Sequence, residues 1–307
     1  MERTNVCLPK SVKLRKKTRA ARNHQSEAEV FREALDLGLR GQGPLALLSV
    51  KIGGMKKTRA LIFDLDGTAI DSPSQKLPSQ RLIRAVRDAS DRYFVCAATA
   101  RPWTFGKDII RGLRLVDPCI ISGGTQVCDP RSGEILWQCN IARGDVRRVK
   151  LVLAEFPYKM IINDFTEADY FEGGFPAGEL DTQKELYFAA YIFVPESEAG
   201  KIGKELDQIP GISYSLATAQ RPGHRDIHIT NKVATKEQAV AELRSRIGVE
   251  ARDCYGFGDA MNDIHLFNAV GRKVAMGNAT KELKARADEV IAPVSEDGLA
   301  AYLEGLK

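Results

Sequence analysis

The chain has 307 residues, 44% hydrophobic and 28% charged, an ordinary globular composition that suits one large domain or two to three small ones. No run approaches the ~20 apolar residues of a membrane span. The basic N-terminus lacks the apolar core of a secretory signal, so a soluble cytoplasmic protein with no membrane partner is expected. The six cysteines show no C-x-x-C pair and do not cluster with the four histidines, which argues against zinc and points to buried free thiols in a reducing compartment. Charge is uneven. Residues 1–55 carry 11 Lys/Arg against 5 Asp/Glu, a net of +6, while the remainder carries 34 against 35. The formal excess of +5 therefore belongs to the first sixth of the chain, as expected of a separate module with an anionic partner.

That module has readable elements. Arg3 to Pro9 alternates polar and apolar residues and stops at a proline, a short strand signal. Lys10 to Asn23 is basic and helix-compatible, with a thin apolar stripe. Ser26-x-x-Glu29 is a capping-box pattern, and Val30, Phe31, Ala34, Leu35 and Gly38 form one helical face that Gly41 closes. A strand and two helices in this order resemble the ribbon-helix-helix DNA-binding fold. The resemblance implies homodimerisation through residues 1–44, because so small a module cannot bury enough surface alone. It also implies a two-stranded ribbon in the major groove, with Arg3, Asn5 and Cys7 facing bases and Val6 and Leu8 facing the core. Ser26 and Glu27 would approach a phosphate at the second helix N-terminus. Two plainer readings compete: a basic tail without a specific partner, and a misplaced start, since Gly53-Gly54-Met55-Lys56-Lys57 looks like a natural beginning for the downstream chain. Residues 45–57 read as a linker.

The most informative run is Leu61-Ile62-Phe63-Asp64-Leu65-Asp66-Gly67-Thr68. A short continuous apolar stretch reads as a buried strand. Its two carboxylates then fall at the strand's C-terminal end, where open α/β sheets build their crevices. Paired carboxylates repel unless a positive charge joins them, and a hard cation such as Mg²⁺ prefers oxygen ligands. Tyr93 to Ala98 is a second such run and delivers Thr99 and Arg101 to a loop. Thr235 is an N-cap for the amphipathic segment ending at Ile247. It places Lys236 at a helix N-terminus, where a cation is disfavoured unless an anion is near. Tyr255 to Gly258 ends in Asp259, with Asn262 and Asp263 close behind. A helix starting at Asp259 would put Asp259 and Asp263 on one face. Taken singly, each signal has a plainer reading. Asp-x-Asp-Gly is a polar strand end with a turn, Thr99 a helix cap, Lys236 a solvated lysine, and Asn262 a turn residue. Arg101 reaches substrate or forms an ion pair. His228 and His265 read as structural.

Asp-x-Asp, Thr, Lys and Asp…Asn-Asp, in this order and each beside a strand-like run, resemble the four motifs of the haloacid dehalogenase superfamily of phosphotransferases. Ala98–Pro102, Ile121–Gly124 and Ala275–Ala279 resemble its Cof-type group. Thr99-Ala100-Arg101 departs from the usual Thr-Gly-Arg, and Gly123-Gly124 replaces the usual Asn-Gly. The resemblance implies a doubly wound, mainly parallel α/β core over 58–145 and 229–307, with an inserted α+β cap over 146–228. Within that segment Val149 to Ala154 and Glu196 to Ile209 read as helices, and Tyr187 to Val194, Ile212 to Leu216 and Asp226 to Ile229 as strands. It further implies a Mg²⁺-dependent phosphatase for a small phosphorylated metabolite. Asp64 would be the nucleophile that forms an aspartyl-phosphate, and Asp66 the general acid and base. Asp64, the Asp66 carbonyl, Asp259 and Asp263 would hold the metal, Asp263 directly or from behind. Thr99 and Lys236 would bind the phosphoryl oxygens, and Asn262 would position Lys236 or substrate. A phosphomutase, and a DNA-binding regulator whose core senses a phosphorylated ligand, are the alternative functions.

Overall fold

The structure is a computed structural model, and it describes residues 57–71 and 77–306. The module expected over 1–44, with Arg3, Asn5 and Cys7, and nearly all of the expected linker lie outside the described residues. The core begins β1 (Ala60–Phe63), α1 (Gln80–Ala89), β2 (Phe94–Ala97), α2 (Trp103–Gly112), β3 (Cys119–Ile121), β4 (Gln126–Cys128) and β5 (Ile135–Gln138). Next come α3 (Arg143–Leu153), β6 (Lys159–Ile162), α4 (Glu167–Phe171), β7 (Phe175–Pro176), β8 (Phe188–Pro195), α5 (Glu196–Leu206), β9 (Ile212–Thr218) and β10 (His224–Asn231). The chain finishes with α6 (Lys236–Ile247), β11 (Cys254–Gly258), α7 (Ile264–Asn268), β12 (Arg272–Ala275), α8 (Lys281–Lys284), β13 (Glu289–Val290) and α9 (Gly298–Gly305).

The main sheet is parallel, in the order β13-β12-β11-β1-β2. A bridge between Ala98 and Ile120 carries it on to β3, which starts the antiparallel β3-β4-β5 sheet. Strand β1 is central and buried on both faces. Leu61 and Phe63 pack with Leu82 and Val86 of α1 and Leu299 and Leu303 of α9. Ala60 and Ile62 pack on the opposite face with Ala239, Val240 and Leu243 of α6. This two-sided burial is why the strand is a continuous apolar run rather than an alternating one. The α/β fold with a parallel sheet covered on both faces agrees with the sequence expectation.

Between β5 and α6 lies an antiparallel sheet in the order β7-β6-β8-β10-β9. Helices α3 and α5 cover one face, through Val146, Val149, Leu153, Ala199, Ile202 and Leu206 against Met160, Tyr191, Ile227 and Ile229. This cluster opens at Ile141, and β10 continues to Asn231, so the inserted body reaches beyond 146–228 at each end. Cys96, Cys119, Cys128 and Cys254 are buried, Cys139 is half-buried, and all five are free. Among the described residues no helix is long and apolar enough to cross a membrane.

The phenol of Tyr191 ties the inserted body together. It is fully buried, accepts from the Tyr158 N–H at 3.1 Å, and lies 2.8 Å from the Phe156 carbonyl and 3.0 Å from that of Leu153. Tyr191→Phe leaves these groups without the hydroxyl and should cost about 1–3 kcal/mol. The denaturation midpoint should fall accordingly, with little change in its slope; an unchanged midpoint would show that water replaces the hydroxyl.

Candidate active site

Three neighbouring parallel strands deliver their C-terminal ends to one place. Asp64 follows β1, Thr99 follows β2 and Asp259 follows β11. Asp64 is 4% exposed, Thr99 0%, Lys236 2% and Asp263 0%, so these polar groups must find partners inside the protein. Lys236, the first residue of α6, does so from across the sheet. Its ammonium donates to Asp64 Oδ1 at 2.9 Å and Asp263 Oδ1 at 2.7 Å. These carboxylates are the anions that make a lysine tolerable at a helix N-terminus. Thr235 caps that helix by accepting from the Gln238 N–H at 3.2 Å. The Ser122–Gly124 turn fits against the same N-terminus because Gly124, at φ +103°, has no side chain; a Cβ there would strike the Thr235 and Lys236 backbone.

The remaining polar atoms are held as firmly. Asp263 Oδ2 accepts from the Asp259 and Ala260 N–H groups at 3.0 and 3.1 Å. Thr68 donates to Asp259 Oδ1 at 2.9 Å. Gly67, at φ +77°, lets that loop lie against the Asp259 carboxylate, where any Cβ would collide. Arg101 grips Asp66 with two bonds, Nε to Oδ2 at 2.8 Å and Nη2 to Oδ1 at 2.6 Å.

Several expectations change. Asp259 does not start a helix; a 3-10 turn over Met261–Asp263 precedes α7. That turn points Asp263 inward and leaves Asn262 exposed, without a hydrogen bond to the described residues. Lys236 is thus positioned by Asp263, not by Asn262. Thr99 does not cap α2, whose N-cap is Pro102; its hydroxyl accepts from the Arg101 N–H at 3.1 Å. Arg101 forms an ion pair, and its partner is Asp66 within the site rather than a surface carboxylate. Sequence reading gave no role to Thr68. Its place directly after Asp66-Gly67 was the available signal, but its partner lies 191 residues away.

Carboxylate oxygens of Asp64, Asp259 and Asp263 lie within 4.8 Å of one another. Burial pushes Asp64 up to about 7, against the pull of Lys236. Burial likewise pushes Asp259 up to about 6, with the Thr68 hydrogen bond opposing. Burial works against the charge on Lys236 too, but Asp263 and Asp64 outweigh it and hold the ammonium above the ordinary lysine range. Crowded, desolvated carboxylates with only oxygen donors fit a hard divalent cation.

The haloacid dehalogenase-like hydrolase family model matches residues 61–303, which include all of these groups. The chain belongs to this family. Among curated relatives, a Haemophilus influenzae protein described as a putative phosphatase is 44% identical over 78 residues, 25% of this chain and 30% of its own length. The 5-amino-6-(5-phospho-D-ribitylamino)uracil phosphatase YcsE of Bacillus subtilis is 23% identical over 261 residues, 79% of this chain and 93% of that protein. Among solved structures, the subclass IIB sugar phosphatase BT4131 superposes with a TM-score of 0.62 at 24% identity, over 80% of this chain and 98% of that one. TM0651 from Thermotoga maritima gives a TM-score of 0.67 at 20% identity, over 81% and 98%. These structural likenesses show the fold.

The buried Lys236 ammonium makes a direct prediction. Lys236→Ala leaves Asp64 and Asp263 buried without their cation, and breaking such a pair costs about 3–5 kcal/mol. Thermal unfolding should begin well below the wild type. Adding Asp64→Asn should restore part of the loss, because one buried charge is then gone. A double variant less stable than Lys236→Ala alone would contradict the pairing.

Proposed function

We propose that the protein is a Mg²⁺-dependent phosphoric monoester hydrolase acting on a small phosphorylated metabolite. The observation that carries this reading is the convergence of Asp64, Thr99, Asp259 and the Lys236 ammonium at the ends of adjacent strands. Lys236 occupies Asp64 Oδ1 and leaves Oδ2 without a hydrogen-bond partner among the described residues. Asp64 Oδ2 attacks phosphorus, the bond to the leaving oxygen breaks, and its electron pair stays on that oxygen. Asp66 supplies the proton to the leaving oxygen. It then removes one from the water that attacks phosphorus, releasing phosphate and restoring Asp64. For either transfer Arg101 must release an oxygen of Asp66. Thr99 and Lys236 offset charge on the phosphoryl oxygens.

Asp64, Asp259 and the Asp66 carbonyl would hold the cation. That carbonyl receives no backbone hydrogen bond among the described residues. Both oxygens of Asp263 already accept from protein donors, so it acts from behind, on Lys236 and on the Asp259 turn. When bound, Mg²⁺ supplies positive charge to the phosphoryl oxygens and keeps the two carboxylates ionised. The inserted body serves as the cap. It meets the core beside Arg101: Thr104 Oγ1 donates to the Phe165 carbonyl at 2.9 Å, and the Phe105 and Phe165 rings lie 5.4 Å apart. The phosphatase relatives support this reading, and the free buried cysteines support a reducing, cytoplasmic setting.

Phosphate release from a panel of phosphorylated metabolites tests the proposal. Release should require added Mg²⁺, stop with EDTA and return on re-addition. Asp64→Asn should remain folded and inactive. Undiminished turnover in a chelated preparation, or in Asp64→Asn, would overturn it.

A further inference from the structure

Helices α3 and α5 cover one face of the inserted sheet. The other face carries a separate apolar cluster, with Ile161, Ala190 and Ile192 buried and the rings of Phe165, Tyr170, Phe188 and Phe193 packed against them. Ala190 stands directly opposite Ile161 on β6 and His228 on β10, so His228 shares this face. Helix α4, which follows Phe165 in the chain, buries none of its residues. Phe165, Phe188 and His228 are each half-buried, so part of each ring is left open among the described residues. Tyr170 and Phe193 are engaged elsewhere. The Tyr170 hydroxyl donates to Asp226 Oδ2 at 2.6 Å, and the Arg221 guanidinium lies 4.7 Å from the centre of the Phe193 ring.

The remaining rings adjoin the general acid. Arg101, which grips Asp66, also reaches the Phe105 carbonyl with Nη1 at 3.4 Å. The Phe105 ring contacts Phe165, Phe165 stacks on Phe188 at 5.8 Å and 22°, and Phe188 meets the His228 ring edge-on at 5.2 Å. A run of four rings thus leads from Arg101 across the sheet. Phe188 lies at its core end. It stands opposite Thr230, next to Asn231, whose Nδ2 donates to the Asn140 carbonyl at 2.8 Å where the chain crosses between the two bodies. In-line attack by Asp64 expels the leaving oxygen on the side of Asp66, which protonates it. The rest of the leaving group therefore meets these rings. The rows through Ala190 and Phe188 end on β9 in Ser215 and Ser213 and hold no charged side chain. Burial holds the His228 ring below the ordinary histidine range, against the pull of Asp226, so it is neutral at neutral pH.

We propose that Phe165, Phe188 and His228 form the wall that holds the leaving group, and that the preferred substrates are phosphomonoesters whose alcohol carries an uncharged aromatic or heteroaromatic ring. This rests on the phosphatase reading and narrows its substrate class. Stacked and edge-on contacts reward a flat partner at ring distance. A sugar laid on the same rings loses water from its hydroxyls and finds few polar groups in exchange. Phe188 is the centre of the wall, since both of the other rings touch it.

Benzyl phosphate, cyclohexylmethyl phosphate and glucose 6-phosphate test this, because all three expel a primary alkoxide and differ only in what it carries. With Mg²⁺, kcat/KM of the full-length protein for benzyl phosphate should exceed that for glucose 6-phosphate by about tenfold. It should exceed that for cyclohexylmethyl phosphate by about threefold, the share that ring geometry contributes. Phe188→Leu keeps an apolar side chain and should bring the benzyl-to-cyclohexylmethyl ratio to about one. A loss of folding alone would lower all three rates together and leave that ratio as it was. The second readout needs no turnover. In calorimetry with Mg²⁺, benzylphosphonate should bind the wild type about tenfold more tightly than methylphosphonate, and Phe188→Leu should narrow that gap about threefold. Equal kcat/KM for the benzyl and cyclohexylmethyl esters, a higher value for glucose 6-phosphate, equal binding of the two phosphonates, or a benzyl preference that survives in Phe188→Leu would overturn the assignment. A wild type that hydrolyses none of the three esters would defeat the phosphatase reading, and the phosphonate comparison would still decide whether the wall holds an aromatic ring.

Discussion

The Lys236 ammonium, buried between Asp64 and Asp263, is the interaction on which the rest of the site depends. Its partners lie 172 residues before it and 27 after it, so it joins the ends of β1 and β11 to the start of α6. Removing three charges from water is expensive, and a buried ion pair is weak evidence for stability. An apolar trio would hold these elements together at lower cost. What the ion pair provides is a positive charge held in a fixed place beside Asp64. The rigid neighbours depend on it. Asp263 uses its second oxygen to shape the Asp259 turn, Thr68 fixes Asp259, and Gly67 and Gly124 remove side chains that would push these groups apart.

The parallel sheet explains why such distant residues meet. Each strand ends on the same edge, so the junctions after β1, β2 and β11 each add one group to a common floor. The insertion between β5 and α6 has its own apolar cluster and its own helices. The two bodies share few polar contacts, and those that exist gather near Arg101 and at the two chain crossings.

Much of the floor was legible in the sequence because strand-end position is written locally. Leu61-Ile62-Phe63 announces a buried strand, and Asp64 can only stand at its end. Val149 on α3, and the alternation along β9 and β10, were local in the same way. Where reading failed, the deciding contact was distant or a turn was irregular. Asn262 and Asp263 are adjacent, yet a single 3-10 turn sends one to solvent and the other to Lys236. Arg101 finds Asp66 across 35 residues, and no local pattern shows which carboxylate a guanidinium will choose.

The central claim is that Asp64 takes the phosphoryl group from substrate. A single-turnover reaction with a hydrolysable phosphomonoester and Mg²⁺, quenched in acid and digested, tests it by peptide mass spectrometry. The account predicts a phosphorylated peptide spanning Ala60 to Thr68, with the phosphoryl group on Asp64, that forms and decays at the rate of turnover. Steady turnover with that peptide unmodified at every quench time, or with the phosphoryl group on another residue, would contradict it.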